Sequence, residues 1–187
     1  EKARHYFELS AKQNNSNALF NLGNLYFNGH GVKQNGEKAK EYFELAAKQH
    51  NSNALLGLGL LYESGLGVNR DFVKAMEYFK ESAQLGNPGA LANMGNMYLN
   101  GIAVEKNVEK ALQCYEQSAK MNNSSALINL GQMYLNGVGV QQNSQKAIEC
   151  YEKAAQQNNS VALVNLGNMY FNGIGVKRNV QYAIELL

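Results

Sequence analysis

The sequence predicts an all-α solenoid of stacked helix-turn-helix units, on three observations. The phrase running from Ala18 to Gly29 returns from Ala54, Ala90, Ala126 and Ala162, a step of 36 residues each time. Apolar residues within each step keep helical spacing, and glycine and asparagine recur at the helix boundaries. A unit of this size cannot bury its apolar face alone, so equal units stack and share one elongated core.

The first helix of the unit, helix A, is predicted from Ala18. Ala18, Leu22, Leu25 and Tyr26 lie at i, i+4, i+7 and i+8, which is one helical face. Asn28, Gly29 and Gly31 announce its end, because glycine adopts left-handed backbone angles without a Cβ penalty. Val32, with Val68, Val104, Val140 and Val176, follows as an apolar plug.

Helix B begins after Asn35, and Asp71, Asn107, Asn143 and Asn179 stand at the same place. Each has a short side chain able to accept a backbone N–H of the first turn. Ala39, Tyr42, Phe43, Ala46 and Ala47 form the apolar stripe, opposite Glu37, Glu41, Glu44 and Lys48. Helix B is predicted to stop at a left-handed residue: Asn14, Gly86, Asn122, Asn158 or, least suitably, His50. Glu44 with Lys48 and Glu116 with Lys120 have the i, i+4 order of a surface pair.

Gly23, Gly59, Gly95, Gly131 and Gly167 lie inside helix A, where each costs roughly 1 kcal/mol against alanine. Repetition of that cost predicts close approach of helix B of the same unit, through its small pair Ala46 and Ala47 and the equivalents Ser82–Ala83, Ser118–Ala119 and Ala154–Ala155.

Net charge is +2, with 17% of residues charged. That balance lacks the basic footprint of a nucleic-acid binder. No run approaches the roughly 18 apolar residues of a membrane span. The chain is expected to be soluble, with cytoplasm preferred to a secretory lumen and the compartment otherwise left open. Glu1 and Leu187 both fall inside a unit, so residues 1–187 are expected to be a single repeat domain cut from a longer solenoid. Its frames start near 18, 54, 90, 126 and 162, with partial units at both ends.

Cys114 and Cys150 hold the same place in successive units, shared with Tyr6, Tyr42, Tyr78 and Leu186. Stacked helices about 8–10 Å apart put equivalent Cα atoms beyond disulfide reach, so both are expected to be free core thiols. His5, His30 and His50 lack metal-ligand spacing, and Gly29-x-Gly31 has no strand before it, so neither a metal site nor a phosphate loop is expected. No nucleophile context is visible, and no cofactor is expected. Asn14, Asn122, Asn123 and Asn158 begin Asn-x-Ser triplets, which an asparagine-rich chain produces by chance.

The order alanine, Leu-Gly, tyrosine, Gly-x-Gly-Val, an Asp or Asn, Lys-Ala, an aromatic pair and a small pair resembles the Sel-one-like repeat, a relative of the tetratricopeptide repeat, over nearly the whole chain. Ala103 for the second turn glycine, Tyr182 for a lysine, and Cys114 and Cys150 for an aromatic are the departures. The resemblance implies a right-handed solenoid with helix A lining the concave side, and adaptor functions in protein complexes. Some cysteine-rich relatives have been described as penicillin-binding or β-lactamase-like, which makes hydrolysis the rival class. Those relatives carry paired cysteines in every unit, whereas this chain has two in all. A structural spacer is the third alternative.

The expected function is a non-enzymatic scaffold that binds a protein or peptide partner on its concave face. The candidate contacts form a polar stripe on helix A: Asn21 and Asn24, Asn93 and Asn96, Asn129 and Gln132, Asn165 and Asn168. An amide offers both donor and acceptor, so such rows could hold the backbone of an extended peptide. Asn28, Asn100, Asn136 and Asn172 extend the stripe but precede a glycine and suit a cap. In the second unit Gly57 and Leu60 replace the amides, which predicts either a side-chain pocket at Leu60 or repacking against the adjacent repeat.

Overall fold

The computed structural model describes residues 2–186, which form eleven α-helices and no strand. α1 (Lys2–Lys12) is a helix B; the A and B helices then alternate as α2 (Ser16–Asn28), α3 (Gly36–Ala47), α4 (Ser52–Ser64), α5 (Phe72–Gln84), α6 (Pro88–Asn100), α7 (Val108–Lys120), α8 (Ser124–Asn136), α9 (Ser144–Ala155), α10 (Ser160–Asn172) and α11 (Val180–Glu185). They divide into two compact units. Unit 1 is Glu1–Ala90 with Ile102–Val104, and unit 2 is Leu91–Gly101 with Glu105–Leu187. Within each unit, helices adjacent in sequence pack against one another.

Both ends of each helix are set by local chemistry. Helix A starts two residues before the predicted Ala18, because Asn15 caps it: the Ala18 N–H donates to Asn15 Oδ1 at 3.0 Å. Asn51, Asn123 and Asn159 repeat this cap, and Asn87 accepts from Gly89 and Ala90 N–H. The asparagine pairs that spell glycosylation triplets are thus two structural devices side by side, a left-handed residue and then a cap. Asn14, His50, Asn122 and Asn158 have φ between 56° and 60°. Helix B is capped as expected, with Asn35 Oδ1 accepting from Lys38 N–H at 2.9 Å.

Ala103 occupies the glycine position of its turn at φ 58°, where a Cβ is strained. Ala103→Gly should therefore raise the melting temperature, by up to about 1 kcal/mol in stability. A lower melting point would show that the turn does not feel this strain.

The glycines of helix A do face helix B of their own unit, but the close group is an aromatic ring and not the predicted small pair. A Cβ on Gly23 would stand 2.5 Å from Phe43 Cδ1, one on Gly95 2.6 Å from Tyr115 Cε1, and one on Gly131 2.5 Å from Tyr151 Cε1. Phe43, Phe79, Tyr115 and Tyr151 are each 0 or 1% exposed, so the bare backbone at each of Gly23, Gly59, Gly95 and Gly131 receives a ring. The small positions serve a different contact, as Ser82 shows: its hydroxyl donates to the Ser52 carbonyl at 2.7 Å, tying α5 to the start of α4.

Around these rings unit 1 buries Leu19, Ala39, Ala54, Leu58 and Leu61, and unit 2 buries Leu127, Ala147, Ile148, Leu166 and Met169. On the surface, Glu44 pairs backwards with Lys40 at 2.6 Å instead of forwards with Lys48. Lys38, Lys74, Lys110 and Lys146 sit over Tyr26, Tyr62, Tyr98 and Tyr134, 5.1–5.4 Å from the ring centroids.

Candidate functional site

The polar stripe of helix A is present in both units, with different company in each. Unit 1 contributes Asn21 and Asn24 from α2 and Leu60 from α4, all half-buried. The space at Gly57 is not a vacant pocket beside Leu60. A Cβ there would lie 2.8 Å from Phe43 Cε2, so the Phe43 ring sits against both Gly23 of α2 and Gly57 of α4. Phe43 therefore fills the space at Gly57, and Leu60 beside it stays half-buried.

Unit 2 contributes Asn93 and Asn96 from α6, Asn129 and Gln132 from α8, and Asn165 and Asn168 from α10. Asn96 Oδ1 accepts two hydrogen bonds, from the Tyr115 hydroxyl at 2.7 Å and from Asn129 Nδ2 at 3.0 Å. One amide oxygen therefore joins α6, α7 and α8. Both of its lone pairs are occupied, leaving Asn96 Nδ2 and Asn129 Oδ1 as the donor and acceptor of the pair still available. Burial pushes the Tyr115 phenol up to about 12, against a smaller lowering effect of the Asn129 amide. The ring thus stays neutral and keeps its proton for Asn96.

Asn165 stands one unit further on from Asn129, but its Nδ2 is buried without a hydrogen-bond partner. Gln132 and Asn168 are exposed. Asn28, Asn100 and Asn172 donate Nδ2 to the carbonyls of Asn24, Asn96 and Asn168 at 2.8–3.1 Å, so they finish the helix instead of facing a ligand. The stripe offers neutral amides at fixed positions and little chemistry beyond hydrogen bonding. A signal for the Tyr115–Asn96 link exists in the sequence: tyrosine replaces the Phe43 and Phe79 of earlier units at Tyr115 and Tyr151.

The histidines are all exposed, and no group of three or more metal-ligating side chains occurs among the described residues. Cys114 is buried, Cys150 is half-buried and both are free. Burial pushes both thiols up, which works against thiolate chemistry near neutral pH. No helix among the described residues is long and apolar enough to cross a membrane.

The Sel1 repeat profile matches residues 1–15, 16–51, 52–87, 88–123, 124–159 and 160–187. No curated protein matches the chain. Among solved structures, the protective antigen c5321 of uropathogenic Escherichia coli, which displays an SLR fold, is 31% identical with a TM-score of 0.75. That alignment covers 98% of this chain and 39% of the antigen, so the chain spans well under half of that protein. A Sel1 repeat protein from Oxalobacter formigenes is 29% identical with a TM-score of 0.83, over 92% of this chain and 71% of its own. Helicobacter pylori cysteine rich protein B is 27% identical with a TM-score of 0.55, over 72% of this chain and 96% of its own.

Proposed function

We infer that this chain, which belongs to the Sel1 repeat family, is a protein-interaction module that holds an extended segment of a partner along the helix-A face of unit 2. Repeats of this family are generally interaction modules. One observation carries the finer step: amides recur at equivalent positions of α6, α8 and α10, and Asn96 and Asn129 are locked to each other and to Tyr115 before any partner arrives. Side chains already ordered lose little rotamer entropy on binding, which favours a partner whose backbone must be met by donor and acceptor in register. Neutral amides select for that backbone and not for charge.

The two thiols, both pushed up by burial, lie outside the stripe and take no part in this reading.

The test uses Gln132→Ala with Asn168→Ala, because both side chains are exposed and take no part in the Tyr115 network. Folding stability should change by less than about 0.5 kcal/mol. In quantitative co-purification from cell extract, at least one protein retained by the parent chain should fall by about tenfold with the double variant, a loss of two hydrogen-bonding groups. Equal retention of every co-purifying protein would remove the amide stripe from the function.

A further inference from the structure

Three positions recur together at the 36-residue step: one on a helix A, the buried ring of the helix B that follows, and one on the next helix A. They are Asn24, Phe43 and Gly57; then Leu60, Phe79 and Asn93; then Asn96, Tyr115 and Asn129; then Gln132, Tyr151 and Asn165. The third set is complete in itself, because Asn96 Oδ1 accepts from the Tyr115 hydroxyl at 2.7 Å and from Asn129 Nδ2 at 3.0 Å. The fourth set keeps both donors and changes the acceptor.

Tyr151 is placed as Tyr115 is. Its ring meets α8 at Gly131, next to Gln132, as the Tyr115 ring meets α6 at Gly95, next to Asn96. Tyr151 is 1% exposed and shares a core cluster with Leu166, the neighbour of Asn165 on α10. Yet its hydroxyl has no hydrogen-bond partner among the described residues, and Asn165 Nδ2 is buried without one. One methylene longer than asparagine, Gln132 carries its amide out to solvent and accepts from neither. Packing does not require the Tyr151 hydroxyl, since Phe43 and Phe79 fill the same place with bare rings. A desolvated donor without an acceptor lowers stability, so both groups are costs that the free chain does not offset.

We propose that the Tyr151 hydroxyl and the Asn165 amide anchor the bound segment by donating together to one of its backbone carbonyl oxygens, which takes the position that Asn96 Oδ1 holds one repeat earlier. The anchor rests on the helix-A face of unit 2 being the face that binds, and adds the atom of the partner that is recognised. Asn96 Oδ1 is itself an amide oxygen, so the preceding repeat shows this pair of donors converging on that chemical group. The set holds two neutral donors and no cation, which favours an amide carbonyl over a carboxylate. Both donors are already desolvated and gain an acceptor without giving one up, so the contact adds to affinity at little cost.

Peptides selected on the whole chain from a displayed random library test the anchor. Those that bind the helix-A face, identified by their loss with Gln132→Ala and Asn168→Ala, should bind Tyr151→Phe about tenfold more weakly. Tyr151→Phe should nevertheless melt like the parent, whereas Tyr115→Phe should melt lower because its bond to Asn96 is lost. Gln132→Asn recreates the Asn96 arrangement inside the chain, so this variant should melt higher than the parent and bind the peptides about tenfold more weakly. A thioamide, a poorer acceptor than an amide, placed at one position of the peptide backbone should weaken binding to the parent and have no further effect on Tyr151→Phe. Peptides held equally by the parent and Tyr151→Phe overturn the anchor, and leave the helix-A face standing if Gln132→Ala with Asn168→Ala still loses them. A Gln132→Asn chain that melts like the parent and keeps its peptides overturns it as well. Failure to enrich any peptide that depends on Gln132 and Asn168 overturns the anchor together with the helix-A face.

Discussion

Replacing Gly59 with alanine will destabilise unit 1 by about 2–3 kcal/mol, although the same change in an isolated helix would stabilise it by about 1 kcal/mol. The added methyl group would fall within the space of the Phe79 ring, and Phe79 is fully buried. Thermal and denaturant unfolding of the single variant measure the loss. Combining it with Phe79→Leu supplies the diagnostic. Leucine gives up the ring edge that meets the new methyl, so the double variant should lose less than the sum of the two single losses. A stabilised Gly59→Ala would mean that ring and helix are not in contact, and the account of the repeated glycines would fail with it.

Alkaline titration is expected to weaken unit 2 steeply between about pH 10 and 12. Burial raises the Tyr115 and Tyr151 phenols from 10.0 to about 12 in the folded chain. Unfolded, they lose their protons near pH 10, so above that pH the unfolded state binds fewer protons than the folded one and stability falls as pH rises. Below pH 10 both states are protonated and the stabilisation is complete; above about 12 it is gone. Each tyrosine accounts for roughly 3 kcal/mol across that window. Denaturant unfolding followed through the window should show the decline in the parent chain, and a flatter profile in Tyr115→Phe with Tyr151→Phe. The phenylalanine variant should also lose about 1 kcal/mol at neutral pH, because the Tyr115 donor to Asn96 is removed. If the parent and the double variant declined alike, the buried tyrosines would not be the cause.

Helix identity and order, the caps at Asn35 and its equivalents, and the left-handed residues at Asn14, His50, Asn122 and Asn158 were all legible, because each depends on a few neighbouring residues. The caps of helix A were equally local, yet Asn15, Asn51, Asn87, Asn123 and Asn159 were hidden in a chain that uses asparagine throughout. The candidate stripe was legible as a pattern of amides on one face. Its internal wiring was not, because the bond from Asn129 to Asn96 joins residues of different repeats, and nothing in the spacing says whether an amide turns to a neighbour or to a ligand.

By itself, then, the amino-acid order determined a Sel1-type array of helical hairpins: period, amphipathic face and punctuation are properties of adjacent residues. Packing alone decided which group fills the glycine notches and why Gly57 is closed by Phe43. Those outcomes depend on side-chain volume meeting backbone across tens of residues of chain, where a ring or a small residue is chosen by the shape left between helices and not by anything beside it in sequence.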